Sequence, residues 1–201
     1  MRRPDAPEIV EYGTGLGLRM AMTPSGTSEM TREKVVQLKE KGLARLAVSL
    51  DGSRAAIHDT FRKVTGSFQW TMDIIRWANE AGLSLQINTT ITRYNRQDMD
   101  ALCSLMESLK LSLWSVFFLV PVGRGQLQDE IKAQEYEEIF HKLHRLSKGA
   151  SFDIKTTEAP HYRRFALQQR KKEGLSRENQ PTPGFLAKGV DLNQADGVGR
   201  A

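Results

Sequence analysis

The sequence predicts an α/β domain with parallel strands, on three observations. Short β-rich runs alternate with longer helical ones along most of the chain. Glycines and an Asp-Gly pair punctuate the ends of those runs. Strands separated by helices need crossover connections, which are right-handed and leave neighbouring strands parallel.

Taken in order, the first strand is predicted over Leu18 to Thr23, before the turn Pro24-Ser25-Gly26. Thr31 opens a helix with Glu33 in its first turn and Val35, Val36 and Leu38 apolar; Gly42 ends it as a C-cap glycine does. Ala44 to Leu50 is the second strand, closing on Asp51-Gly52. A short helix around Arg54 to Phe61 follows. A longer one takes Ser67 as its N-cap and stops at Gly82. Leu83 to Ile91 is the third strand, Arg96 to Leu109 a helix, and Leu113 to Val120 the fourth strand. The loop Pro121-Val122-Gly123-Arg124-Gly125 leads to a helix over Ile131 to Leu146, with Tyr136, Ile139, Phe140 and Leu143 on one face. Ser151 to Thr156 reads as a fifth strand and Tyr162 to Lys172 as a helix. A TIM-like barrel, a partial barrel and an open doubly wound sheet all accommodate this succession, and periodicity does not choose among them.

Length and composition bound the function. The 201 residues suffice for one domain with a real core. No apolar run is long enough to span a bilayer, and no apolar segment backs the N-terminus as a signal peptide would. A cytoplasmic protein with no membrane partner is expected. The single cysteine, Cys103, excludes an internal disulfide and an all-cysteine metal site. It falls among Met99, Leu102, Met106 and Leu109 at helical spacing and reads as a small core residue. The net charge is +5, but residues 161–180 alone carry +4 of it. The rest is nearly neutral, so no broad basic face is implied and nucleic acid is not an expected partner.

Ligands of parallel α/β folds gather at the C-terminal ends of the strands. The polar residues there are Ser25 with Thr23, Ser49 with Asp51, Asn88 with Thr90, and the loop from Pro121 that contains Arg124. Together they offer hydroxyls, a carboxylate, an amide and a cation, a set suited to ribose hydroxyls or an amino-acid head group. Each has a plainer use: Asp51-Gly52 is a common turn, and Gly123-Arg124-Gly125 a generic one. Residues two apart on a strand share a face, so Ser49 is expected to point with Asp51, and Asn88 with Thr90. His58-Asp59 invites acid–base chemistry, yet His58 and Arg62 share a helix face and equally suit a cluster bracing the loop. His141 and His144 lie on a charged amphipathic helix without companions for a metal and read as solvated.

Beyond this, Ser49-Leu50-Asp51-Gly52, His58-Asp59 with Arg62, and Gly66-Ser67-Phe68 resemble a signature of radical S-adenosylmethionine (SAM) proteins of the SPASM-associated type. That group includes peptide and sulfatase maturases and haem-biosynthesis proteins. The resemblance continues through Gln86-Ile87-Asn88-Thr89-Thr90 with Asn95, through Pro121 to Gly125, and through Lys155 to Tyr162. It implies an incomplete (β/α)6 partial TIM barrel over residues 1–160, its third to sixth βα units plus one further strand. A basic helix over 161–175 and a tail, or the start of a further domain, over 176–201 would follow.

The implied cofactors are SAM and a [4Fe–4S] cluster. Ser25, Ser49 and Asp51 would lie near the methionine and ribose groups, Asn88 and Thr90 would face the same cavity, and the backbone at Val120 and Pro121 would border the adenine. Where sulfatase-maturing relatives carry an arginine two residues after the phenylalanine of Gly-Ser-Phe, this chain has Trp70. The family's Cys-x-x-x-Cys-x-x-Cys is absent, so no residue is assigned as catalytic or metal-ligating, and three thiolates are what such a cluster needs. The expectation is a fragment, inactive alone, of an enzyme acting on a peptide or a small molecule such as a tetrapyrrole. Its partner would be the missing N-terminal segment or a complementary chain. The alternative is a non-catalytic binding protein on a degenerate barrel.

Overall fold

A computed structural model describes residues 3–122 and 126–174. The calls on Gly123-Arg124-Gly125 and on the tail after residue 174 lie outside the described residues. Five strands form one sheet in the order β1-β2-β3-β4-β5, every neighbouring pair parallel. They are β1 Ala21–Met22, β2 Arg45–Ser49, β3 Ser84–Ile91, β4 Leu113–Phe118 and β5 Asp153–Thr157. The helices are α1 Ala6–Gly15, α2 Arg32–Glu40, α3 Ala55–Arg62, α4 Ser67–Glu80, α5 Met99–Ser108, α6 Ala133–Ser147 and α7 His161–Lys172. Spatial order equals chain order. Right-handed crossovers that always step the same way put their helices on one side of the sheet. A doubly wound sheet would reverse direction at a switch point, and this one does not, so the architecture is that of a barrel wall.

The two faces of the sheet differ as this arrangement requires. Toward the helices point Leu46, Val48, Leu85, Ile87, Ile91, Trp114, Val116, Phe118 and Ile154, all buried. Val35 and Leu38 of α2, Ile74, Ile75 and Ala78 of α4, Met99, Leu102 and Met106 of α5, and Ile139, Phe140 and Leu143 of α6 complete that core. A one-residue slip of β3 would expose Leu85, Ile87 and Ile91 together, at about 1.5–3 kcal/mol per side chain, so burial pins the register. Buried Thr89 is the polar exception on this face; its hydroxyl accepts from the Trp114 indole at 2.8 Å and donates to the Leu50 carbonyl at 2.7 Å.

Four details depart from the sequence reading. A helix, α1, precedes the first strand; Pro7 near its start and Glu8 in its first turn are its start signals. β1 is only two residues long, on one edge of the sheet. β4 stops at Phe118, leaving Val120 43% exposed. The N-cap of α4 is Gly66 at φ +86°, which glycine adopts freely, and Ser67 is the first helical residue. The capping acceptor comes from α3 instead. The Asp59 carboxylate accepts the Gly66 N–H at 2.7 Å, the Phe68 N–H at 2.7 Å and the Ser67 hydroxyl at 3.1 Å. These donors hold Asp59 below the usual carboxylate range against the opposing effect of burial.

At the far end α7 packs on α6 through Phe140, which meets Tyr162 and Phe165 with ring centroids 5.1 and 5.7 Å away. His144 is not solvated as expected. It lies half-buried, 3.5 Å from Glu173. No helix among the described residues is long and apolar enough to cross a membrane.

Candidate functional site

The face of the sheet turned away from the helices is polar, and the parallel register lays its side chains in rows. Ser49 lies beside Asn88, Asn88 beside Ser115, and Ser115 beside Lys155. One step toward the C-terminal mouth, Thr90, Phe117 and Thr157 form the next row. Ser49, Asn88 and Thr90 are all half-buried and face the same side, as alternation predicts. The Asn88 carbonyl oxygen accepts from the Gln86 amide at 2.7 Å, and the Gln86 oxygen accepts from Arg45 at 3.5 Å. This leaves the Asn88 amide nitrogen without a hydrogen-bond acceptor among the described residues. Ser115 and Lys155 escaped the sequence reading because no single strand reveals which residues its neighbours place beside it.

Asp51 behaves differently. β2 ends at Ser49, so strand alternation does not fix the direction of Asp51, which is set by its own contacts. Asp51 is fully buried. Its Oδ1 accepts the Thr90 N–H at 2.7 Å, taking a place that a backbone carbonyl fills elsewhere in the ladder. Its Oδ2 lies 2.5 Å from the Arg62 guanidinium. Burial pushes the Asp51 carboxyl above its ordinary range, with Arg62 and the Thr90 N–H opposing. The Asp51 N–H donates to Nδ1 of His58 at 3.0 Å, and its carbonyl accepts from the Asn95 amide at 2.9 Å. Asn95 also donates to the Thr90 carbonyl at 2.8 Å. Asp51 is thus the knot joining the ends of β2 and β3 to α3.

His58 and Arg62 do share a face of α3, and both close on Asp51. His58 is buried, and burial, reinforced by Arg62, drives its pKa down to about 4 against the pull of Asp59. A neutral imidazole with Nδ1 occupied braces the loop, so the bracing reading of His58-Asp59 holds. Gly52 is needed sterically: a Cβ there would sit 2.6 Å from the His58 nitrogen and 2.8 Å from Ile57 Cβ. A further tie joins the same loop to the start of α5, where its N-cap residue Asp98 accepts the Ser53 N–H and hydroxyl, each at 2.6 Å.

The remaining candidates sit at the same end of the sheet. Ser25 is exposed in the loop after β1, which is seated on α4: a Cβ at Gly26 would approach Thr71 Oγ1 to 2.4 Å. Val120 and Pro121 are exposed after β4, with the Val120 carbonyl accepting the Val122 N–H at 2.7 Å. Cys103 is half-buried on α5, and burial pushes its thiol up to about 11. No group of three or more His, Cys, Asp or Glu that could hold a metal occurs among the described residues.

A model of the family described as "Radical SAM superfamily" matches residues 2–106. The chain is 42% identical over 177 residues to an AdoMet-dependent heme synthase of Oleidesulfovibrio alaskensis, covering 87% of this chain and 45% of that one. It is 41% identical over 175 residues to a protein of the same name from Methanosarcina barkeri, covering 87% and 50%. A Fe-coproporphyrin III synthase of Methanosarcina barkeri is 34% identical over 61% of this chain and 30% of its own length. The chain spans about half the length of the heme synthases it matches. Among solved structures, Streptococcus suis SuiB bound to S-adenosylmethionine superposes with a TM-score of 0.66 at 13% identity, covering 84% of this chain and 39% of that one.

Proposed function

The chain belongs to the radical SAM superfamily, and on that premise we propose that its open sheet face is the SAM-facing wall of an enzyme acting on an iron tetrapyrrole. The observation that carries the reading is the division of the sheet. One face is apolar and covered, while the other presents Ser49, Asn88 and Thr90 in adjacent positions with a spare amide donor. Those groups suit a ribose and an amino-acid head group: hydroxyls accept and donate, and the Asn88 amide donates to a carboxylate or a ribose oxygen. Ser25 approaches from the loop after β1, and the backbone around Val120 and Pro121 borders the adenine. Asp51 works at one remove, holding the Thr90 backbone and the β2 end in place. Bound SAM, once reductively cleaved, supplies the hydrogen-abstracting power of the family. The tetrapyrrole substrate is argued from the relatives named for heme and iron coproporphyrin.

The residues present do not fit a [4Fe–4S] centre. Three thiolates are needed, and the one cysteine lies on α5 with its thiol held protonated at neutral pH. In our reading the ligands come from a complementary segment, which a chain half the length of its relatives makes room for. A non-catalytic binding protein is the second reading, favoured by that same lone cysteine.

Anaerobic incubation of the chain with iron, sulfide, reductant and SAM tests the assignment. The expected outcome is no stoichiometric cluster and no 5′-deoxyadenosine from the chain alone. Both should appear when a segment carrying Cys-x-x-x-Cys-x-x-Cys is supplied. Turnover by the chain alone would overturn the division of labour, and continued inactivity with a cluster-loaded segment bound would favour the non-catalytic reading.

A further inference from the structure

At the C-terminal mouth of β3 and β4 lies a cleft of about 400 Å³ that the SAM assignment does not use, lined by Arg93, Tyr94, Arg96, Gln128, Lys132 and two glutamates. Its floor is stitched together. The Arg93 N–H donates to the Asp129 carbonyl at 3.0 Å, and the Tyr94 hydroxyl donates to the Asp129 carboxylate at 2.8 Å. The loop after β3 and the turn Leu127–Asp129 therefore form one platform. Two charges are already spent on each other, Arg96 pairing with Glu135 at 2.9 Å. Arg93 is not. Its guanidinium lies over the Tyr94 ring at 4.8 Å; no carboxylate pairs with it directly among the described residues, though its charge is felt by the Asp129 carboxylate of the platform. Stacking limits its freedom while leaving the fork of N–H donors presented, so little ordering remains to be done when an anion arrives. Exposed Lys132 supplies a second cation at the cleft. Beside it stand apolar surfaces unusual for solvent: Tyr94 is 61% and Leu127 75% exposed.

We propose that this cleft is a carboxylate-binding subsite, in which Arg93 and Lys132 hold a peripheral carboxylate of a tetrapyrrole whose ring edge lies along Tyr94 and Leu127. This rests on the tetrapyrrole reading above and adds the residues that read its carboxylates. A planar carboxylate matches the guanidinium fork in two parallel hydrogen bonds. The cleft is too small for a whole macrocycle and takes one acidic arm.

The test is an absorbance titration of the full chain with iron coproporphyrin III and with its tetramethyl ester, comparing wild type, Arg93→Gln and Lys132→Gln. The expected result is about tenfold weaker binding of the acid by Arg93→Gln and a few-fold loss by Lys132→Gln. The ester should bind more weakly than the acid and equally to all three proteins. Both side chains are exposed, so thermal midpoints should not move. Equal affinity of wild type and Arg93→Gln for the acid would overturn the subsite alone. Wild type that binds neither pigment would overturn the tetrapyrrole reading, and the subsite with it.

Discussion

Asp51 shows how one residue serves a site without facing it. Its carboxylate holds the Thr90 N–H and the Arg62 guanidinium, while its backbone engages His58 and Asn95. Asp51→Ala removes an acceptor from a buried N–H and a partner from a cation that is about one-third exposed, a loss of roughly 2–4 kcal/mol. Asp51→Asn keeps an acceptor for Thr90 and needs no buried charge, so it should cost about 1 kcal/mol. Urea unfolding of the two variants checks this, and equal losses would show that the charge rather than the hydrogen bond holds the knot. Ser49, Asn88 and Thr90 were legible in the sequence because alternation along a strand gives their facing directly. Asp51 was not, because alternation ends where the ladder does. Arg93 went unread because its meaning comes from Tyr94 beneath it and from a turn 36 residues further on, at Asp129.

At the scale of elements, α3 is short and its sequence polar, yet it is locked by groups at both ends of the loop it closes. His58 anchors it inward to Asp51, and Asp59 caps α4. The His58 anchor is pH-sensitive in a defined direction. The imidazole titrates near 6.5 when unfolded and near 4 when folded. The folded state therefore resists protonation: the stability His58 confers is complete above about 6.5 and is lost as pH falls toward 4. Between pH 7 and 5 the loss is about 2 kcal/mol. His58→Asn, which keeps an acceptor near the Asp51 N–H but cannot titrate there, should flatten that slope in urea unfolding measured at the two pH values. An unchanged slope would assign the acid sensitivity to another group. The elements between Thr31 and Lys172 were legible because their apolar residues recur at helical or strand spacing. α1 was passed over although Pro7 and Glu8 mark its start and Ala6 and Val10 are buried. The cap of α4 was misplaced because its acceptor, Asp59, belongs to the preceding helix.

For the whole molecule, the governing fact is that strand order follows chain order. It puts the helices on one side and leaves a polar face on the other, where periodicity alone did not decide between barrel and doubly wound forms. That face, bearing Ser49, Asn88, Ser115 and Lys155 in one row, is the proposed SAM-facing wall. Titrating SAM into isotopically labelled chain, followed by NMR, tests that placement most directly. The face carries its own reporter, the Asn88 side-chain amide, and the covered face carries another, the indole N–H of Trp114. Saturable shifts are expected at Asn88, Ser49 and Thr90, with little change at Trp114 and binding weakened about three- to tenfold by Asn88→Ala. Shifts confined to Trp114 and the helical layer, or binding indifferent to Asn88→Ala, would contradict that placement.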